Sequence, residues 1–140
     1  MYLLDTNIIS EAKRPQPNEN VLNWLGKQPL GSTYISVLSL GELEEGITLL
    51  GDTERARDLW TWLGNLRSAY AGRILSVDQA VVSTWGQIRA HAKRQSKTAP
   101  VVDALLAATA ITHELTLVTR NVKDVAALPV TILNPFEVQP

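Results

Sequence analysis

The sequence predicts an α/β domain in which a short central parallel sheet is flanked by helices. Three observations carry that prediction. Short runs rich in β-formers alternate with longer stretches of helical periodicity, as in strands joined by crossover helices. The 140 residues suit one domain, taken as residues 1–140, and 45% of them are apolar, enough for a real core. No internal repeat interrupts the alternation.

The elements follow in order. Tyr2 to Leu4 is a short apolar run compatible with a buried strand. Asp5-Thr6-Asn7 can cap a helix, and Ile8 to Ala12 reads as that helix, stopped before Pro15. Pro17 introduces a second helix bearing Val21, Leu22, Trp24 and Leu25. Ser32 to Ser36 reads as a strand. Val37 to Leu50 has helical periodicity through Leu40, Leu43, Ile47 and Leu50. Asp52 or Thr53 caps the next helix, striped by Leu59, Leu63, Leu66 and Tyr70. Arg73 to Val77 is a strand candidate. Asp78 caps a long amphipathic helix with Val81, Trp85, Ile88 and Ala92 on one face. Lys93 to Thr98 is a polar loop, and Pro100 suits the first residue of a helix to about His113. Thr116 to Thr119 is a strand, Asn121 to Ala127 a loop or short helix, and Val130 to Leu133 the closing strand.

Composition excludes several classes of function. Without cysteine there are no disulfides and no thiolate metal sites, which suits a reducing cytoplasm. The opening residues lack the basic segment of a signal peptide, and no apolar run is long enough to cross a bilayer. The expectation is a cytoplasmic protein without membrane association. A net charge of −1 excludes nucleic-acid binding by bulk charge. Any hold on RNA must come from local basic groups and from metal ions bound to acids.

Four acids are placed suggestively. Asp5 directly follows the first strand, Glu42 lies one to two turns into the helix after the second, and Asp124 comes just after the strand ending at Thr119. Ligands of parallel sheets bind beyond the carboxyl ends of the strands. Asp103 is the one charged group in Pro100-Val-Val-Asp-Ala-Leu-Leu-Ala-Ala-Thr. A carboxylate among apolar neighbours is costly to bury unless something pairs with it, and a metal is one such partner. Acids without His or Cys suit Mg²⁺ or Mn²⁺ and not Zn²⁺. Such a site activates water and neutralises charge on a phosphodiester.

Each acid also has a purely structural reading. Asp5 fits a helix cap. Ser39-Leu-Gly-Glu42 has capping-box spacing. Asp103 suits the positive end of its own helix. Asp124 fits a solvated loop acid. Only their joint placement distinguishes the metal reading. His91 and His113 offer no triad, one reading as a polar helix face and the other as a helix end.

Together, Asp5-Thr6-Asn7, Gly41-Glu42-Leu43, Asp103-Ala-Leu-Leu-Ala-Ala-Thr-Ala and Leu117-Val-Thr-Arg-Asn-Val-Lys-Asp124 resemble the PIN-domain family. In order and spacing they are similar to the VapC-type toxins of VapBC toxin–antitoxin pairs, including the FitB-like branch. The resemblance spans essentially the whole chain. It implies a PIN-like fold and a Mg²⁺-dependent endoribonuclease, the toxin of a type II module, cleaving RNA with metal-activated water. By resemblance Asp5 and Asp103 are the principal metal ligands, with Glu42 completing the cluster directly or through water. Family members place an acid at the position of Asn121, of Asp124, or both. Asn121 is neutral here, so Asp124 is the candidate fourth acid. Thr6, Asn7, Thr119 and Asn121 would support the pocket. Homodimers and a VapB-like antitoxin that blocks the site are also implied.

Lys13, Arg14 and Arg120 are candidate phosphate contacts, with Arg120 flanking the acidic block. Trp60 falls off its helix's apolar stripe, and either faces a partner or packs beneath a neighbouring helix. Two other functions compete. A phosphoryl-transfer enzyme with Asp5 as nucleophile would carry a second Asp where this chain has Asn7, and a phospho-aspartate on Asp5 would favour it. A non-catalytic module would use the acidic pocket only to bind a basic segment, and absence of metal binding would favour that.

Overall fold

In the computed structural model, which describes residues 1–29 and 31–137, five short strands pair in parallel in the order β3-β2-β1-β4-β5. They are β1 (Tyr2–Leu4), β2 (Thr33–Ser36), β3 (Ile74–Leu75), β4 (Thr116–Val118) and β5 (Ile132–Leu133). The helices are α1 (Thr6–Glu11), α2 (Glu19–Lys27), α3 (Val37–Leu49), α4 (Glu54–Ala69), α5 (Gln79–Arg94), α6 (Val101–Thr112) and α7 (Val122–Val125). β1 is central, with Tyr2 opposite Thr33 on one side and Thr116 on the other.

Strand alternation explains the two-faced core. Successive side chains of a strand point to opposite faces. Leu3 and Leu117 therefore join Val81, Ile88, Leu106 and Val125 on the face covered by α5, α6 and α7. Leu4 and Val118 join Ile8, Val21, Ile35 and Leu63 on the face covered by α1 to α4. A sheet buried on both faces needs apolar runs without polar alternation, as Tyr2-Leu-Leu and Thr116-Leu-Val provide.

The caps were largely readable. Asp5, Asn18, Thr53 and Asp78 each accept a backbone N–H in the first turn of α1, α2, α4 and α5. α1 starts at Thr6, two residues before the expected Ile8, because Asp5 itself is the cap. Pro100 is the N-cap of α6, so the helix starts at Val101, one position after the expected first residue Pro100. The edge strands are shorter than the apolar runs that suggested them. Arg73 lies outside β3, but its carbonyl still accepts the Ile35 N–H of β2 at 3.1 Å, while its guanidinium donates to the carbonyls of Thr33 (2.6 Å) and Ala69 (2.8 Å).

The cap of α3 is Ser36, whose Oγ accepts the Leu38 N–H at 3.0 Å. Ser39 is fully buried, and its hydroxyl has no hydrogen-bond partner. The capping-box reading of Glu42 is thereby removed, because the helix begins one turn earlier than that reading requires. Trp60 is 42% exposed, so it does not pack beneath a neighbouring helix. Among the described residues, no helix is long and apolar enough to cross a membrane.

The cap assignment makes a contrast. Ser36→Ala should cost about 1 kcal/mol, the usual loss of an N-cap. Ser39→Ala should be neutral or stabilising, since it deletes a buried hydroxyl without a partner. Urea denaturation measures both, and equal losses would contradict the assignment.

Candidate functional site

Asp5 lies one residue past the end of the central strand, with only 5% of its surface exposed. Its backbone still belongs to the sheet, since its N–H donates to the Val118 carbonyl at 2.9 Å. Three donors hold the carboxylate. The Thr6 N–H donates to Oδ1 at 2.6 Å, while Thr119 Oγ1 (2.7 Å) and Asn7 Nδ2 (3.4 Å) donate to Oδ2. The cap role and a ligand role are compatible here, because a carboxylate oxygen has lone pairs beyond one backbone bond.

A second tier orients those donors. The Asn121 N–H donates to Thr119 Oγ1 at 3.0 Å, directing the threonine proton to Asp5. The Arg120 N–H donates to Asn7 Oδ1 at 3.3 Å, which directs the Asn7 amide nitrogen to Asp5. Thr6 Oγ1 donates to Glu42 Oε1 at 2.6 Å and so ties the start of α1 to α3. The expected supporting residues Thr6, Asn7, Thr119 and Asn121 are all within this network.

Asp103 is half-buried in the first turn of α6. Burial, then the charges of Asp5, Asp124 and Glu42, push its carboxyl up to about 6. Burial also raises the Asp5 carboxyl, against the lowering effect of the Thr119 and Thr6 hydrogen bonds, and the Glu42 charge raises it further. All four acids thus share one electrostatic neighbourhood. Glu42 and Asp124 are exposed, and among the described residues no three His, Cys, Asp or Glu side chains converge into a ready-made metal site. Like charges held apart by solvent have no reason to converge until a cation arrives.

Among the described residues, no ion pair joins a cation to these four acids. The ion pairs among the described residues are Arg14 with Glu11, Arg57 with Asp52 and Arg67 with Glu44. Arg120 lies instead over the Phe136 ring, 4.6 Å from its centroid. His91 and His113 are exposed, one on α5 and the other at the end of α6. The donor set is all oxygen. It fits a hard divalent ion such as Mg²⁺, which takes few carboxylates and keeps several waters, and it does not fit Zn²⁺.

Lys13 and Arg14 stand at a cavity of about 360 Å³ that also touches Thr6 and Glu42. Two further lining residues, Arg55 and Trp62, escaped the sequence reading. Both lie on α4, far in sequence from the acidic blocks. Nothing local marks them, because the packing of α4 beside α1 and α3 makes the cavity.

The strain of the acids is measurable. A carboxyl raised in the folded state binds protons better folded than unfolded. Stability therefore falls as pH rises from about 4 through the Asp103 value of about 6, and the penalty is complete above it. In EDTA at pH 7.5, Asp103→Asn should raise the melting temperature by a few degrees, and the gain should vanish toward pH 4. Calorimetry checks this, and a melting temperature lowered at pH 7.5 would refute it.

Comparison with known proteins agrees with the fold. The PIN domain family model matches residues 2–127. Toxin FitB of Neisseria gonorrhoeae is 40% identical over 97% of this chain and 99% of its own. VapC ribonuclease Y4jK of Sinorhizobium fredii is 32% identical over 98% of this chain and 99% of its own. The solved structure of FitAB bound to an IR36 DNA fragment superposes with a TM-score of 0.95 at 37% identity, over 100% of this chain and 99% of that one. The chain belongs to the PIN-domain family, among its VapC-type toxins.

Proposed function

We propose that this protein, read as a single PIN domain over residues 1–140, is a metal-dependent endoribonuclease and the toxin of a type II toxin–antitoxin module. The observation that carries the reading is the group Asp5, Glu42, Asp103 and Asp124, which share one electrostatic neighbourhood and, among the described residues, no ion pair. The relative named as a VapC ribonuclease supports RNA as the substrate. The FitAB and FitAcB structures support a cognate antitoxin as partner. Family membership further implies a homodimer.

In this reading Asp5 and Asp103 hold Mg²⁺, or Mn²⁺ in its place, with Glu42 and Asp124 completing the acidic shell. The ion, when bound, supplies water activation and neutralises charge developing on the phosphodiester. The protein's own part is preorganisation. Thr119, Thr6 and Asn7 fix both oxygens of Asp5 before any ligand arrives. Through Thr6, the positions of Asp5 and Glu42 are coupled. Burial of Asp5 lowers the local dielectric, which strengthens its attraction for a cation.

The purified protein should cleave RNA with Mg²⁺ or Mn²⁺ and stop in EDTA. Asp5→Asn and Asp103→Asn should each lose more than the ~10–100-fold that loss of a supporting contact costs. The melting temperature of Asp103→Asn should not fall, and Asp5→Asn, which swaps one accepting oxygen for a donor, should still fold but melt lower. Full metal-dependent cleavage by either variant would overturn the assignment. Sequencing RNA 5′ ends after brief expression would identify the target.

Thr119→Val keeps the shape of the side chain and deletes its hydrogen bond to Asp5. Affinity for Mn²⁺, read by calorimetry, should fall roughly 10–100-fold, as for a lost contact behind a ligand. Unchanged affinity would mean that Thr119 does not position Asp5.

A further inference from the structure

We infer that the cavity between α1, α3 and α4 seats the nucleotide next to the cleaved phosphate of a single-stranded RNA. The inference rests on the ribonuclease reading, since it assigns the flank of the same site.

The cavity measures about 360 Å³, within the ~300–1,000 Å³ usual for small-ligand sites. Thr6 and Glu42 bound one end, where they are joined by a 2.6 Å hydrogen bond beside Asp5. Ile47, Leu59 and Trp62 contribute apolar lining. Lys13, Arg14 and Arg55 contribute positive charge. A nucleotide combines a flat base with an anionic phosphate, so it uses both chemistries at once. Aromatic and basic side chains in one groove are the usual equipment of single-strand binders.

The cations are held in place by the fold. Arg55 Nη2 donates to the Lys13 carbonyl at 2.8 Å, which clips α4 to the segment after α1. Arg14 lies 3.6 Å from buried Glu11, and Glu11 also accepts the Asn18 N–H at 2.9 Å. These contacts fix the backbone that carries Lys13. Its ammonium has no ion-pair partner among the described residues.

Continuity decides between RNA and a protein segment as occupant. A phosphodiester lying at the acids belongs to a strand that must continue on either side. On one side that path meets Thr6 and Glu42 and then this cavity. Three cations gathered there, in a chain of net charge −1, mark a path for a polyanion.

Gly46 provides the test. It lines the cavity from α3, and a Cβ there would meet nothing within 4 Å. Gly46→Trp therefore fills the cavity without entering the core. The assay is cleavage, with Mn²⁺, of a short randomised RNA carrying a fluorophore and a quencher. Gly46→Trp should raise KM about tenfold and leave kcat within about twofold, the mark of lost uniform binding. Lys13→Gln, a change away from the core, should flatten the slope of log KM against log salt by about 0.7, the value for one phosphate contact on a single strand. Unchanged KM and slope in an active protein would overturn the subsite alone. A Gly46→Trp protein with normal KM that escapes its antitoxin would assign the cavity to the protein partner and overturn the subsite as well. Absence of metal-dependent cleavage in the starting protein would overturn the ribonuclease reading, and the subsite with it.

Discussion

The hydrogen bond from Thr119 to Asp5 organises this molecule. It is buried, 2.7 Å long, and joins residues 114 apart in the chain. Asp5 follows β1 and Thr119 follows β4, the two adjacent strands at the middle of the sheet. From β1 the chain winds outward through β2 and β3, then crosses to build β4 and β5 on the other side. The strand order therefore reverses between β1 and β4. At such a reversal the flanking connections leave toward opposite faces and open a crevice. The Thr119–Asp5 bond spans that crevice and fixes where the first carboxylate stands.

The other acids are then placed by the helices that leave the same end of the sheet. α3 begins directly after β2 and brings Glu42 within reach of Thr6. α6 brings Asp103 from the opposite layer, since it packs with α5 on the second face. The two core clusters thus do more than bury apolar surface. Each carries acids that repel the other's, and burial on both faces offsets that repulsion. Asp103 registers the cost directly, with its carboxyl pushed up to about 6 by burial and three neighbouring charges. A site built for a cation is expected to store such strain when the cation is absent.

Much of this was legible because it is local. Strands showed as short apolar runs, helices as periodic stripes, and caps as Asp5, Thr53 and Asp78 ahead of those stripes. The acids were legible because strand ends mark ligand sites in parallel sheets. The start of α3 at Val37 was legible as well, and Ser36 caps it where the ladder ends. Two things were not. The Thr6–Glu42 bond joins residues 36 apart, and no periodicity reports it. The cavity beside it depends on how α4 lies against α1 and α3, so Trp60 drew attention as the stray aromatic while Trp62, which lines the cavity, did not.

The segregation of charge completes the argument. The chain carries 13 basic and 14 acidic residues, so its acids had cations available. Arg14, Arg57 and Arg67 pair with other carboxylates. Arg120 sits next in sequence to Thr119, close enough along the chain to threaten the site. Its guanidinium stacks on Phe136 instead, and its backbone N–H is used to orient Asn7. Such stacking is worth about 0.5–2 kcal/mol, comparable to an exposed ion pair at ~0–1 kcal/mol. The ring can therefore compete with the acids for that cation. Phe136 is itself anchored, because its carbonyl accepts from Asn20 of α2 at 3.1 Å. A cluster of acids stays open to an outside cation only if neighbouring cations are held off it, and here Arg120, the residue that follows Thr119, is held by an aromatic ring.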